Sequence, residues 1–128
     1  MKLLLDTCTF LWVAAGSPEL SARARDLFSD PTNELFLSSV SSWEIVVKNA
    51  LGRLPLPTTP HLFVPEQRRR HRISPLPLEE EAVLQLAKLP DHHRDPFDRM
   101  LVCQAIAHGL TILTPDPAIN RYPVLTAW

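Results

Sequence analysis

The chain has only three glycines and two cysteines in 128 residues, and its formal net charge is −1. No glycine-rich phosphate loop of the form G-x-G-x-x-G follows the first apolar segment, which excludes a dinucleotide-binding fold of that kind. Two cysteines, Cys8 and Cys103, cannot build the disulfide framework of a small secreted domain, so a reduced compartment is expected. The balanced charge leaves no global basic field, and any nucleic-acid contact has to come from a local patch. Long hydrophobic runs are missing too. The N-terminal Leu3-Leu4-Leu5 is too short for a signal peptide or a membrane span. A soluble cytoplasmic protein with no membrane association is therefore expected, folded as a single domain over residues 1–128.

What the chain does have is alternation. Leu3–Leu5 and Leu35–Leu37 are continuous apolar runs that suit buried strands, with further strands at Ile73–Leu76, Thr111–Leu113 and Val124-Leu125. Helical patterns lie between them, from about Phe10, over Ser21–Phe28, and through Trp43, Val46, Val47, Ala50 and Leu51 to a stop at Gly52. Others cover Leu62–Arg72, Glu79–Leu89 (apolar face Ala82, Val83, Leu86 and Ala87) and Asp95 to about His108. A brief helix is expected at Asp116-Pro117. Proline is abundant, at thirteen residues, and clusters between Pro55 and Pro77, where it stiffens connections. Strands alternating with helices predict an α/β fold with a parallel sheet covered on both faces.

Ligands in such sheets bind beyond the carboxyl ends of the strands. Asp6 ends the first strand, Glu44 follows the second, and Asp116 follows the Thr111 strand. Asp98 opens the helix before that strand. Each acid also has a simpler reading. Asp6 can cap a helix, Glu44 and Lys48 are spaced as a surface ion pair, and Asp95-Pro96 is a good helix start with Asp98 at its third position. Asp116-Pro117 repeats the capping pattern. Taken together, clustered carboxylates repel one another, and a divalent cation removes that penalty. Oxygen-only ligands suit Mg²⁺, with Mn²⁺ as the alternative, and such a site supports hydrolysis of a phosphodiester by metal-activated water.

The side chains nearby add detail. His92 and His93 are adjacent and point differently, and no cysteine pair has ligand spacing, so a zinc site is not expected. Arg99 and Arg94 beside the acidic motif, and Arg68 and Arg69 in the run Arg68-Arg69-Arg70, are candidate phosphate contacts. Trp12 is a candidate for stacking a base, whereas Trp43 is expected to pack in the core.

Four motifs resemble those of PIN-domain ribonuclease toxins of the VapC type. They are Leu5-Asp6-Thr7-Cys8-Thr9-Phe10-Leu11-Trp12, then Ser42-Trp43-Glu44-Ile45 with Lys48, Gly52 and Leu54. His93-Arg94-Asp95-Pro96-Phe97-Asp98-Arg99 with the residues on to Ala105, and Leu113-Thr114-Pro115-Asp116, complete the series in order. The resemblance implies a PIN-like three-layer sandwich with about five parallel strands flanked by helices. It implies a divalent-metal endoribonuclease that is the toxin of a toxin–antitoxin pair, with a cognate antitoxin, an RNA substrate and a homodimeric state. Asp6, Glu44, Asp98 and Asp116 match the family's acidic quartet, with Asp95 as an accessory. Cys8 stands where relatives often carry histidine. The competing expectations are an inactive PIN fold that binds RNA or protein, and cleavage of DNA by the same chemistry.

Overall fold

The computed structural model describes all 128 residues. The chain runs β1 (Lys2–Leu5), α1 (Thr7–Ala15), α2 (Ala22–Ser29), β2 (Glu34–Ser38), α3 (Ser39–Ala50), α4 (Pro60–Arg70) and β3 (Ile73–Leu76). It continues with α5 (Glu80–Gln85), α6 (Pro96–His108), β4 (Thr111–Leu113) and β5 (Leu125–Ala127). Short 3₁₀ turns cover Leu86–Lys88 and Ile119–Arg121. The five strands form one sheet in the order β3-β2-β1-β4-β5, and every pair is parallel.

The leucine run is explained by this architecture. Central β1 is covered on both faces, so Leu3, Leu4 and Leu5 are all fully buried. Leu3 and Leu5 join Phe10, Val13, Ala24, Ile45, Phe63 and Val64 in one core layer. Leu4 points the other way, into a layer with Leu101, Val102, Ala105, Ile112 and Ile119. The period of two along the strand thus distributes one tripeptide between two cores. No helix is long and apolar enough to cross a membrane.

Four expectations shift. Helix α1 starts at Thr7 rather than near Phe10, because Asp6 Oδ1 accepts the Thr9 N–H at 2.8 Å and caps it. The Glu79–Leu89 pattern gives only a six-residue α-helix before tightening into 3₁₀ geometry. Of its expected apolar face only Ala82 is buried. The brief helix expected at Asp116-Pro117 is a turn, with 3₁₀ geometry starting at Ile119. Trp43 is not in the core but 60% exposed, resting edge-to-face on Phe97 at 4.9 Å. Helix α3 buries Val40, Ser41, Glu44 and Ile45 instead. Its more conspicuous stripe of Trp43, Val46 and Leu51 faces outward.

Because Leu4 is enclosed between two strands and a helix layer, Leu4→Ala is expected to destabilise the protein by about 2–5 kcal/mol in urea unfolding. Leu125, on the edge strand and 73% exposed, should tolerate alanine with a change within about 0.5 kcal/mol.

Candidate metal centre

From β1 the chain moves outward through β2 and β3, then returns to the other side of β1 with β4. The crevice at the carboxyl ends of β1 and β4 is therefore the topological switch point, where an open α/β sheet leaves room for a ligand. Asp6 leaves β1 there, and its N–H donates to Leu113 O at the end of β4 at 3.4 Å.

Asp6 is only 3% exposed. Its Oδ1 accepts the Thr9 N–H and, at 3.2 Å, the Cys8 thiol, and its Oδ2 accepts the Thr114 hydroxyl. Capping and membership of the acidic cluster are thus served by one side chain. Glu44 is 5% exposed, so the Glu44–Lys48 pair is not the simple surface pair its spacing suggests. Its Oε1 accepts the Thr7 hydroxyl at 2.7 Å, and its Oε2 pairs with Lys48 Nζ. Thr7 Oγ1 also lies 3.0 Å from Ser41 Oγ, which ties α1 to α3 at the site.

Asp98 sits half-buried in the first turn of α6, with Oδ2 3.0 Å from His93 Nε2. Burial pushes its carboxyl up to about 6, and Asp95 reinforces the shift. The His93 contact opposes it, while Glu44 and Asp6 add to it. Three other carboxylates therefore act on Asp98 at this end of the sheet. Asp95 Oδ1 accepts the N–H groups of Phe97 and Asp98 at 2.9 and 3.4 Å, capping α6 and fixing the turn that carries Asp98. Asp116 follows β4 with its N–H on Thr114 Oγ1 at 3.1 Å and its Oδ1 on the Ala118 N–H at 2.9 Å. One ligand atom each from His93, Asp98 and Asp116 lie within 4.8 Å of one another.

Lys48 is the cation built into the cluster. Its hydrogen bond to Glu44 raises its pKa, and Asp95 and Asp98 add to the effect. The Cys8 thiol is pushed well above its ordinary range, first by burial and then by Asp6, so it stays protonated and is no nucleophile. The Arg99 guanidinium is engaged by Pro90 O at 3.0 Å, Tyr122 Oη at 3.3 Å and His93 O at 3.5 Å. Arg94 is exposed beside the cluster. Arg68 and Arg69 lie in the last turn of α4, and Arg68 lines a separate cleft with Val46, His61 and Leu76. Trp12 is half-buried against Trp128, with ring centroids 5.8 Å apart.

Sequence reasoning passed over the hydroxyls of Thr7 and Thr114, because the carboxylates they hold, Glu44 and Asp6, lie 37 and 108 residues away in sequence. It also set His93 aside, because adjacency to His92 invites only the comparison with a zinc pair. The two rings do diverge. His92 lies against Tyr122 at 5.3 Å, and His93 turns into the cluster.

Comparison with known proteins narrows what this arrangement belongs to. Ribonuclease VapC16 of Mycobacterium tuberculosis is 38% identical over 66 residues, which cover 48% of this chain and 47% of that protein. The match thus spans about half the length of either chain. Among solved structures, VapBC2 from Rickettsia felis, bound to a DNA fragment from its promoter, superposes with a TM-score of 0.75. It is 14% identical, and the overlap covers 99% of this chain and 98% of that one. VapBC-1 from nontypeable Haemophilus influenzae gives a TM-score of 0.67 at 17% identity, over 99% and 97% of the two chains. The PIN domain family pattern matches residues 3–125, nearly the whole sheet and every acidic residue described above, and the chain belongs to the PIN domain family.

Proposed function

We propose that the chain is a divalent-metal-dependent endoribonuclease, the toxin of a toxin–antitoxin pair, acting in the cytoplasm with residues 1–128 as one catalytic unit. The observation that carries this reading is the convergence of Asp98 and Asp116, whose ligand atoms lie within 4.8 Å of one another, with Asp95, Glu44 and Asp6 acting on the half-buried Asp98 carboxyl. Burying an ionised carboxylate beside other acids is costly, and a divalent cation held by these hard oxygen donors, Mg²⁺ or Mn²⁺, offsets that cost. The similarity to Ribonuclease VapC16 supports RNA as substrate. The fold shared with chains from VapBC complexes, together with the VapC-type motifs, supports a cognate antitoxin.

In this reading Asp6 and Asp98 are the principal ligands, with Glu44 and Asp116 completing the set directly or through water. When bound, the cation supplies neutralisation of phosphate charge and a lowered pKa for attacking water. The protein's own contribution is orientation. The Thr9 N–H and Thr114 hydroxyl hold both oxygens of Asp6, and Thr7 holds Glu44. Lys48 keeps Glu44 in place and presents positive charge toward the substrate. Asp95 positions the first turn of α6. Exposed Arg94 contacts the backbone phosphates, and Arg99 acts by holding the His93 segment. Arg68, Arg69 and Trp12 lie on other parts of the surface and contribute at most to the wider RNA path.

Two outcomes test this reading. Purified chain without its antitoxin should cleave single-stranded RNA, but not DNA, in Mg²⁺ or Mn²⁺ and stop in EDTA. Asp6→Asn with Asp98→Asn should lower the rate by at least about 10²–10³ in a gel-based cleavage assay. Full activity of that double variant, or RNA binding without cleavage, would discard the nuclease reading.

The second outcome concerns stability without metal. The folded Asp98 carboxyl titrates near 6 and the unfolded one near 3.8. Ionised Asp98 therefore weakens the fold above about pH 6, and the penalty fades as the pH falls toward 4. In EDTA at pH 7.5, Asp98→Asn should stabilise the protein by about 1–2 kcal/mol, allowing for solvent screening of a half-buried group. Thermal melts should show the gain shrinking by about pH 5 and vanishing near pH 4.

A further inference from the structure

The acidic quartet leaves His93 without a role. Its Nε2 lies 3.0 Å from Asp98 Oδ2, and the atoms offered by His93, Asp98 and Asp116 lie within 4.8 Å of one another. Two ligands at neighbouring corners of an octahedral ion, each about 2.1 Å from it, are about 3.0 Å apart, and opposite corners are about 4.2 Å apart. The His93–Asp98 separation already matches a neighbouring pair, and the Asp116 atom lies within 4.8 Å of both, close to the span of one metal shell.

The ring is also held in position. Arg99 Nη1 bonds Pro90 O at 3.0 Å and reaches His93 O at 3.5 Å, tying the 90–93 segment to α6. A 3.5 Å pair with Asp91 and a 3.3 Å bond to Tyr122 Oη complete the clamp. His92 is turned away onto Tyr122, so a single imidazole faces the carboxylates. Cys8, the one thiol near the cluster, donates to Asp6 Oδ1 at 3.2 Å.

Resting on the metal-dependent reading above, the geometry points to His93 as a direct nitrogen ligand that joins Asp98 and Asp116. The ion this set selects is a divalent cation that accepts imidazole, with Mn²⁺ preferred over Mg²⁺. To bind a cation, the imidazole would use the Nε2 lone pair and carry its proton on Nδ1. Magnesium takes oxygen ligands almost exclusively and releases water reluctantly, so it gains little from that nitrogen, whereas first-row transition ions gain more. One imidazole with carboxylates and no thiolate also differs from a closed structural zinc site.

The test uses full-length protein loaded with Mn²⁺. Electron spin-echo modulation should show coupling to a directly bound ¹⁴N nucleus, and His93→Asn should abolish it. Titration of free Mn²⁺ by its paramagnetic resonance signal should show affinity falling about tenfold in His93→Asn. Mg²⁺ affinity, measured by competition, should change less than about threefold. His93→Gln provides a second variant with the same expected loss of coupling. Bound Mn²⁺ without nitrogen coupling in the native protein, or unchanged Mn²⁺ affinity in both variants, overturns the assignment of His93 and leaves the carboxylate site standing. Native-like Mn²⁺ binding by Asp98→Asn with Asp116→Asn removes the metal reading itself, and the inference with it.

Discussion

The anchoring of Asp6 is the constraint on which the rest of the site depends. A carboxylate at the end of the central strand is carried into the interior by three buried leucines, and it survives there because donors reach both of its oxygens. The Thr9 N–H comes from its own helix, and the Thr114 hydroxyl comes from the end of β4, on the far side of the switch point. That second bond joins segments 108 residues apart in sequence. The parallel pairing of β1 with β4 places them side by side, with Leu5 opposite Leu113. Without that pairing the Asp6 carboxylate would lose a neutralising donor and the cleft would lose its floor.

Capping and membership of the acidic cluster are not rival uses of these acids. Asp6 caps α1, Asp95 caps α6, and Asp116 closes the turn after β4, yet Asp6, Asp95 and Asp98 all contribute to one electrostatic field. A cap orients a carboxylate through one oxygen and leaves the other to a second partner, as the Thr114 hydroxyl on Asp6 Oδ2 shows. Asp95 illustrates the division of work. Its oxygen holds the first turn of α6, and that turn delivers Asp98, the carboxylate whose proton affinity burial and its acidic neighbours raise. The strain of bringing Asp98 against other acids is contained by helix geometry on one side and by His93 on the other.

Much of the fold was legible because β1 is covered on both faces. A strand enclosed in that way must read as an unbroken apolar run, and Leu3–Leu5 and Leu35–Leu37 do. The ends of α6 were equally plain, since Asp95-Pro96 and Gly109 are strong start and stop signals. Helix α3 was harder. Its large apolar residues suggest a buried stripe, but the sheet needs the face bearing Ser41 and Glu44, and Trp43 is left outside on Phe97. Helical periodicity identifies faces without saying which one meets the sheet. The segment after Pro77 misled for a related reason, because a six-residue helix packed through Ala82 needs no wide apolar face.

The amino-acid sequence by itself determined the parallel α/β class, the buried strands and the capped start of α6, because these depend on local periodicity and short-range hydrogen bonding. Only the tertiary structure decided how the acids divide their work. It buried Glu44 against Thr7, linked Asp6 to Thr114 across the sheet, and engaged Arg99 in a loop clamp. It also turned His93, rather than His92, toward Asp98 and Asp116. These are long-range placements set by strand order and helix packing, and burial and mutual charge then follow from distances that no spacing along the chain encodes.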